Sequence, residues 1–403
     1  MRPLWVNSLK YIFLFLLPLT SNNAMSANNQ QLKIATFNVS MEGSNYLEQG
    51  QKIPTSNKLQ TLLQKDDNPQ IRNIAEILQR VRPDIVLLNE FDYIADANVG
   101  VKAFIRRYLN QPQQGAEAID YPYFYIAPVN TGEPSPFDLD HDGKASGVGG
   151  DAWGFGFYPG QYGMVVLSRY PIDSEHVRSF QQLKWASMPN AQRPVDPQTQ
   201  QSWYSDEEWQ QLRLSSKSHW DVPVNVNGEW LHVLAAHPTP PVFDGPENRN
   251  GLRNYDEIRL WADYLNGAEA AGYIVDDQGK QGGFEQNARF VFVGDMNSAP
   301  YKSAEQSGAI RQLLDHPLVN GSYTPTSKGG EAYEKNNPHA KAFTASWKER
   351  ADYVLPSKAG MKIIEGGVFW PEKSSPLFRL IKNRGASSDH RLVWLTVELT
   401  PLP

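Results

Sequence analysis

The chain reads as a mixed helix-and-strand protein, and three observations carry that reading. Short apolar runs recur along it in the manner of buried strands, and two longer stretches place apolar residues at helical spacing. Most of the strand runs share an ending: a carboxylate, an amide or a histidine follows within a residue or two, where catalytic groups are usually mounted. With 403 residues, 40% of them hydrophobic, the chain can bury a sizeable core. Length alone allows one large α/β or β-rich domain or two smaller ones.

Residues 1–27 are expected to be an export signal with a short linker, and residues 28–403 a single domain. Arg2 and Lys10 supply the positive start, and the run 11–19, YIFLFLLPL, is too short to span a bilayer. An uncleaved N-terminal anchor is the other reading. Ala24 and Ala27 are the candidate small residues for cleavage, neither in an ideal site, and no later stretch reaches transmembrane length. The absence of cysteine excludes disulfides, thiolate metal sites and a cysteine nucleophile. Together these features fit a secreted or periplasmic bacterial protein. The 38 basic and 44 acidic residues become 36 and 44 once the two basic residues of the signal are removed, a mature net charge of −8. Such a balance weighs against nucleic acid as the main substrate, since proteins that neutralise phosphate backbones are usually basic.

Taken in order, LKIATFNV (32–39) is the first strand and carries Asn38. Asn68-Pro69 opens a helix with Ile71, Ile74, Ile77, Leu78 and Val81 on one stripe, stopping before Pro83. Ile85 to Leu88 is a buried strand followed by Asn89-Glu90. An aromatic, glycine-rich insertion near 130–160 contains Asp138, Asp140 and Asp142 closed by Gly143. Alternating aspartates of this kind hold calcium or form a solvated acidic turn. The pattern lacks the closing glutamate of an EF-hand: Gly149 stands there, with Asp151 two residues on. Met164 to Ser168 is a strand ending at Arg169.

Residues 181–215 carry Trp185, Trp203 and Trp209 without a strand pattern, and read as a surface insertion that borders a cleft or merely pads a loop. Trp220 to Val226 and Trp230 to Ala236 form a hairpin around Asn227-Gly228, ending at His237. A second helix is expected over 252–265, where Ile258, Trp261 and Leu265 share a stripe. FVFV (290–293) leads into Gly294-Asp295-Met296-Asn297, Ala351 to Leu355 contains Asp352, and Asp389-His390 precedes a last strand.

These strand-end residues make a specific inventory. Carboxylates and amides are hard oxygen donors of the kind Mg²⁺ accepts, and two histidines suit proton transfer near neutral pH. The absence of cysteine and of a His-Glu-x-x-His helix argues against a zinc protease.

In their order along the chain, TFNV, LLNEFD, LSRYPI, AAHPTPP, VGDMN, RADYVLP and SSDHRLV resemble the endonuclease/exonuclease/phosphatase superfamily, the deoxyribonuclease I-like phosphoesterases. The resemblance covers nearly the whole mature chain. It implies an α+β fold, a four-layer α/β/β/α sandwich of two packed mixed β-sheets flanked by helices, with the site at one end of the sheets. It also implies hydrolysis of a phosphate mono- or diester by direct attack of water, with Mg²⁺ or Mn²⁺ as cofactor. Residue by residue, Glu90, Asn38 and Asp389 resemble the metal-side groups. Asp295 resembles the carboxylate on the attacking water, and Asn297 a donor to phosphate. His390, oriented by Asp352, resembles the histidine at the scissile phosphate, and His237 the one that protonates the leaving oxygen. Arg169, Arg249 and Arg253 are candidate phosphate contacts, with Lys217 and His219 as further candidates. A small-molecule or lipid phosphoester is the expected substrate and a monomer the expected state. An extracellular endonuclease acting on DNA or RNA is the alternative, and a non-catalytic ligand-binding module on the same fold a third reading.

Overall fold

The computed structural model describes residue 1 and residues 30–285, 287–302 and 308–403. The expected export signal, with Arg2, Lys10, the apolar run 11–19, Ala24 and Ala27, lies outside the described residues. In chain order the strands are β1 (Gln31–Met41), β2 (Ile85–Phe91), β3 (Tyr123–Tyr125), β4 (Met164–Ser168), β5 (Arg178–Ser179), β6 (His219–Val226), β7 (Glu229–Ala236), β8 (Arg289–Asp295), β9 (Asp352–Pro356), β10 (Met361–Val368) and β11 (Val393–Leu399). Helices α1 (Lys58–Leu63) and α2 (Pro69–Val81) lie between β1 and β2. Helix α3 (Val101–Phe104) follows β2, α4 (Asp206–Gln211) sits in the tryptophan-rich segment, and α5 (Arg249–Leu265) links β7 to β8.

Two mixed sheets result, one in the order β10-β11-β1-β2-β4-β3 and the other β5-β6-β7-β8-β9. Each holds one parallel pair, β1 with β2 and β7 with β8, and antiparallel pairs elsewhere. A parallel pair needs a long crossover, and α2 and α5 supply it in the two sheets. The sheets pack face to face and helices flank them, giving the α/β/β/α sandwich that the resemblance implies.

Alternation along β8 shows why these strands read as continuous apolar runs. Val291 and Val293 enter the core shared with β1 and β2, while Phe290 and Phe292 point the other way, Phe292 against Trp261 of α5 and Phe290 against Phe284. Both faces are covered, so both are apolar. Helix α2 begins where Asn68 accepts the Ile71 amide (3.0 Å) with Pro69 in the first turn, and ends at Arg82 in a left-handed conformation. The hairpin turn has Asn227 at φ 55° and Gly228 at φ 98°, the positive values that a two-residue turn between twisted strands requires.

The tryptophan-rich segment is more than padding. Trp185, Tyr204, Trp209, Leu212 and Leu214 are buried against the outer face of the second sheet and α5, and Trp185 Nε1 donates to Asp256 at 2.8 Å. Its apolar content arrives as isolated aromatics, so no strand or helix period announces it. Strand β10 has no sequence signal either: three of its eight residues are exposed, and Gly366 and Gly367 interrupt it. Among the described residues no helix is long and apolar enough to cross a membrane.

Candidate active site

Parallel pairing brings the ends of β1 and β2, and of β7 and β8, to the same edge of the sandwich. Asn38 pairs in register with Asn89, and Ala236 with Gly294. Strand β9 runs antiparallel to β8, so Asp352, its first residue, lies opposite Asp295, the last of β8. Segments from both sheets therefore converge on Asp295.

Its carboxylate is the hub. Oδ2 lies 3.4 Å from His237 Nε2, 3.4 Å from His390 Nε2 and 3.2 Å from Asn38 Nδ2, which donates to it. Oδ1 accepts the Asn297 amide at 3.0 Å. From the other sheet, Asn89 Oδ1 accepts the Asp295 backbone N–H at 3.1 Å, fixing the strand end across the sandwich. Gly294 is required one residue earlier, because a Cβ there would stand 2.0 Å from the Ala236 carbonyl oxygen.

His390 is held by its second nitrogen. Nδ1 lies 2.9 Å from Asp352 Oδ2, whose carboxylate also accepts the Thr344 hydroxyl at 2.6 Å, and the half-exposed Trp347 ring stands edge-on to the imidazole at 4.7 Å. The two histidines differ in charge. Burial opposes protonation of both, but Asp352 and Asp295 on either side of His390 override it and raise its pKa to about 10. Around His237, burial and the Lys217 ammonium outweigh the same Asp295 and hold the ring below its ordinary value. Asp295 is kept well below the usual carboxylate range: its burial is overcome by the charge of His390 and by His237 and Asn38. Asp295, Asp352 and His390 place ligand atoms within 4.8 Å of one another, close enough to share an ion. Yet Asp352 already serves His390 and Thr344, an arrangement that suits an oriented imidazolium better than an ion.

The oxygen-rich side lies across Asn38. Glu90 is raised by burial and faces His237, Glu42, Asp389 and Asn38. Its backbone is left-handed (φ 55°), as are those of Ser40 (46°) and Asn297 (49°), conformations that cost a non-glycine residue about 1 kcal/mol or more. Ser40 donates to Asp389 Oδ1 at 3.2 Å. Glu42 is fully buried; Oε2 accepts from the Ser44 amide and from Gln161, but Oε1 has no hydrogen-bond partner. The Arg384 guanidinium spans it and Asp389 loosely, at 3.6 and 3.7 Å. An orphaned buried carboxylate oxygen beside Glu90, Asp389 and the Asn38 amide fits a hard divalent cation. Those residues are the candidate holders of Mg²⁺ or Mn²⁺.

The candidate residues from sequence therefore divide. His237, Asp295, Asn297, Asp352 and His390 come together, with Asn38, Glu90 and Asp389 beside them. Three arginines do not join. Arg169 is at the opposite end of the first sheet, because β4 runs antiparallel to β2 and its last residue, Ser168, pairs with Ile85; Arg169 binds the Asp84 carboxylate at 3.0 Å. Arg253 spends its guanidinium on the carbonyls of Trp153, Arg213, Leu214 and Ser215. Arg249 pairs with Glu247 and lies over Trp203. His219 is a core residue bonded to Ser215 and to the Glu257 carbonyl.

In the acidic loop Asp138 and Asp140 are joined by Asp151, with ligand atoms within 4.8 Å of one another, while Asp142 Oδ1 accepts the Lys144 amide. Asp138 and Asp151 likewise accept backbone amides, as in an Asx turn.

Sequence reasoning missed several supporting residues. Glu42 follows the first motif with no pattern to mark it, and Asn89 precedes the carboxylate on which the motif's resemblance rests. Two residues of α5, Asn254 and Glu257, hold the site loops: Asn254 Nδ2 donates to the carbonyls of Thr239 (2.8 Å) and Met296 (3.0 Å), and Glu257 accepts the amides of Ser216 and Thr239, each at 2.6 Å. Their offset of three on a helix was the available signal.

The model of the endonuclease/exonuclease/phosphatase family matches residues 35–390. No curated protein matches. Among solved structures, an endonuclease/exonuclease/phosphatase from Beutenbergia cavernae is 16% identical, with a TM-score of 0.45 over 93% of this chain and 72% of the other. A family protein from Leptotrichia buccalis is 14% identical, with a TM-score of 0.44 over 91% and 100%. A beta toxin mutant from Staphylococcus aureus with bound magnesium is 12% identical, with a TM-score of 0.43 over 92% and 100%.

Proposed function

Since the chain belongs to the endonuclease/exonuclease/phosphatase family, and is a metal-dependent hydrolase of phosphoester bonds, we propose that it is an exported enzyme acting on a small or lipid phosphoester by direct attack of water. The observation that carries the reaction is the convergence of His237, His390 and Asn38 on one ionised oxygen of Asp295. Export rests on the N-terminal sequence, and the substrate class on the acidic charge balance.

In this reading Asp295 orients the attacking water and draws its proton. The imidazolium of His390, held by Asp352, donates to a phosphate oxygen as charge accumulates there. His237, kept neutral, takes the water's proton on from Asp295, 3.4 Å from its Nε2, and hands it to the leaving oxygen. Asn297 orients the phosphate from the left-handed turn after β8. A divalent ion held by Glu90, Asn38, Asp389 and Glu42 supplies Lewis-acid stabilisation of the phosphoryl oxygen when bound. Each proton-transfer contribution is worth about 10²–10⁴ in rate.

The test is a substrate panel with purified protein: a phosphomonoester, a phosphodiester, inositol phosphates, choline phospholipids, DNA and RNA, each with Mg²⁺, Mn²⁺, Ca²⁺ or chelator. Turnover of a small or lipid ester that is lost with chelator and in Asp295→Ala is the expected result. Preferential nicking of plasmid DNA with a steep salt dependence would instead make it a nuclease. Metal binding without turnover of any ester would leave a binding module.

A further inference from the structure

A phosphate entering this site needs cationic contacts, and the arginines expected to supply them are engaged elsewhere. Arg169 is at the far end of the sheet, and Arg249 and Arg253 are committed to Glu247 and to backbone carbonyls. Arg384 lies on the metal side, between Glu42 and Asp389. One other cation is placed by the fold. Lys217, two residues before β6, is only 5% exposed, and among the described residues its ammonium makes no hydrogen bond or close ion pair.

Its position is fixed by the backbone around it. The Lys217 carbonyl accepts the Asn130 amide at 2.9 Å. Glu257 takes the amide of Ser216 on one oxygen and that of Thr239 on the other, tying the residue before Lys217 to the segment just after His237. Both oxygens of Glu257 are thereby committed to backbone amides. The charges that reach Lys217 through space are Glu257, Glu90 and Asp295, and Lys217 in turn helps to keep His237 neutral. A buried ammonium with no direct partner is costly unless an anion approaches it. Lysine is suited to that task, since it meets a phosphate oxygen as a compact point charge with freely rotating donors.

We propose that Lys217 is a substrate contact: its ammonium meets a non-bridging oxygen of the scissile phosphate on the His237 side of Asp295, opposite His390. The assignment deepens the phosphoesterase reading and rests on it. It also explains why the segment preceding β6 is pinned so tightly to α5, since a flexible lysine would hold the phosphate in no fixed register.

Inorganic phosphate is the probe, with Mg²⁺-loaded protein. Titration calorimetry on the wild type and on Lys217→Met is expected to show phosphate affinity weakened about 10–100-fold by the loss of one charged hydrogen bond. Lys217→Arg is expected to recover part of that loss. A crystal of the wild-type protein soaked in phosphate is expected to place an oxygen within hydrogen-bond reach of Nζ, a result that does not depend on the variant folding. Unchanged affinity in Lys217→Met, or a bound phosphate that leaves Lys217 untouched, overturns the assignment while the phosphoesterase reading survives. Wild-type protein that binds no phosphate and turns over no ester overturns both.

Discussion

His237 and His390 approach the same oxygen, Asp295 Oδ2, each at 3.4 Å, yet their surroundings push their charges apart. The cause is the group behind each ring. Asp352 stands behind His390 and favours the cation; Lys217 acts on His237 and opposes it. Separating two chemically identical groups in this way gives one the role of donor and leaves the other neutral, which sequence alone left open.

Removing Asp352 tests that division. Asp352→Asn retains the size of the side chain but withdraws the charge that orients and protonates His390. We expect kcat to fall about 10²–10⁴-fold with KM little altered. A change confined to KM would mean that His390 binds substrate without assisting the chemical step.

Metal dependence gives a second expectation, readable without turnover. If Glu42, Glu90, Asp389 and Asn38 hold a divalent ion, Mg²⁺ or Mn²⁺ at about 100 times its Kd should stabilise the folded chain by about 2.7 kcal/mol and raise Tm. Glu42→Gln should weaken that effect, because it replaces the buried oxygen that has no other partner. Equal metal-induced shifts in wild type and Glu42→Gln would remove Glu42 from the set.

His219 predicts a pH effect on stability that is separate from the site. Burial lowers its pKa to about 4, whereas the unfolded chain titrates near 6.5. Between these values the unfolded state binds more protons, so this contribution is complete above about pH 6.5 and declines as pH falls toward 4. At about 1.4 kcal/mol per unit, the loss amounts to a few kcal/mol. Urea unfolding at pH 7 and pH 5 should show a smaller pH difference in His219→Gln than in the wild type.

The tryptophan-rich segment should matter for stability more than for chemistry. Trp185→Ala removes a fully buried ring and one of the donors to Asp256, and should cost about 3–5 kcal/mol. At temperatures where the variant remains folded, kcat/KM should stay within a few-fold of wild type.

Arg169→Ala supplies the contrast: an exposed pair with Asp84 at the far end of the sheet is worth about 1 kcal/mol or less, and kinetics on the preferred ester should be unchanged. A large loss of activity would contradict the sheet register.

Strands β1, β2, β4 and β6 to β9, the helices α2 and α5, and the hairpin turn were legible in the sequence because each obeys a local rule: a period, a cap or a turn dipeptide. Six of the seven ordered motifs also marked the segments that the fold brings together, LSRYPI with Arg169 being the exception. Tertiary structure decided the rest, because relations across the sandwich leave no local trace. Strand direction alone sent Arg169 to the wrong end and brought Asp352 opposite Asp295. Burial selected Glu42, Lys217 and Trp185 from residues that look ordinary in sequence, and packing of α5 against the loops gave Asn254 and Glu257 their roles. A charge state depends on what stands within a few ångströms, so the division of labour between two histidines 153 positions apart in the chain belongs to the folded molecule alone.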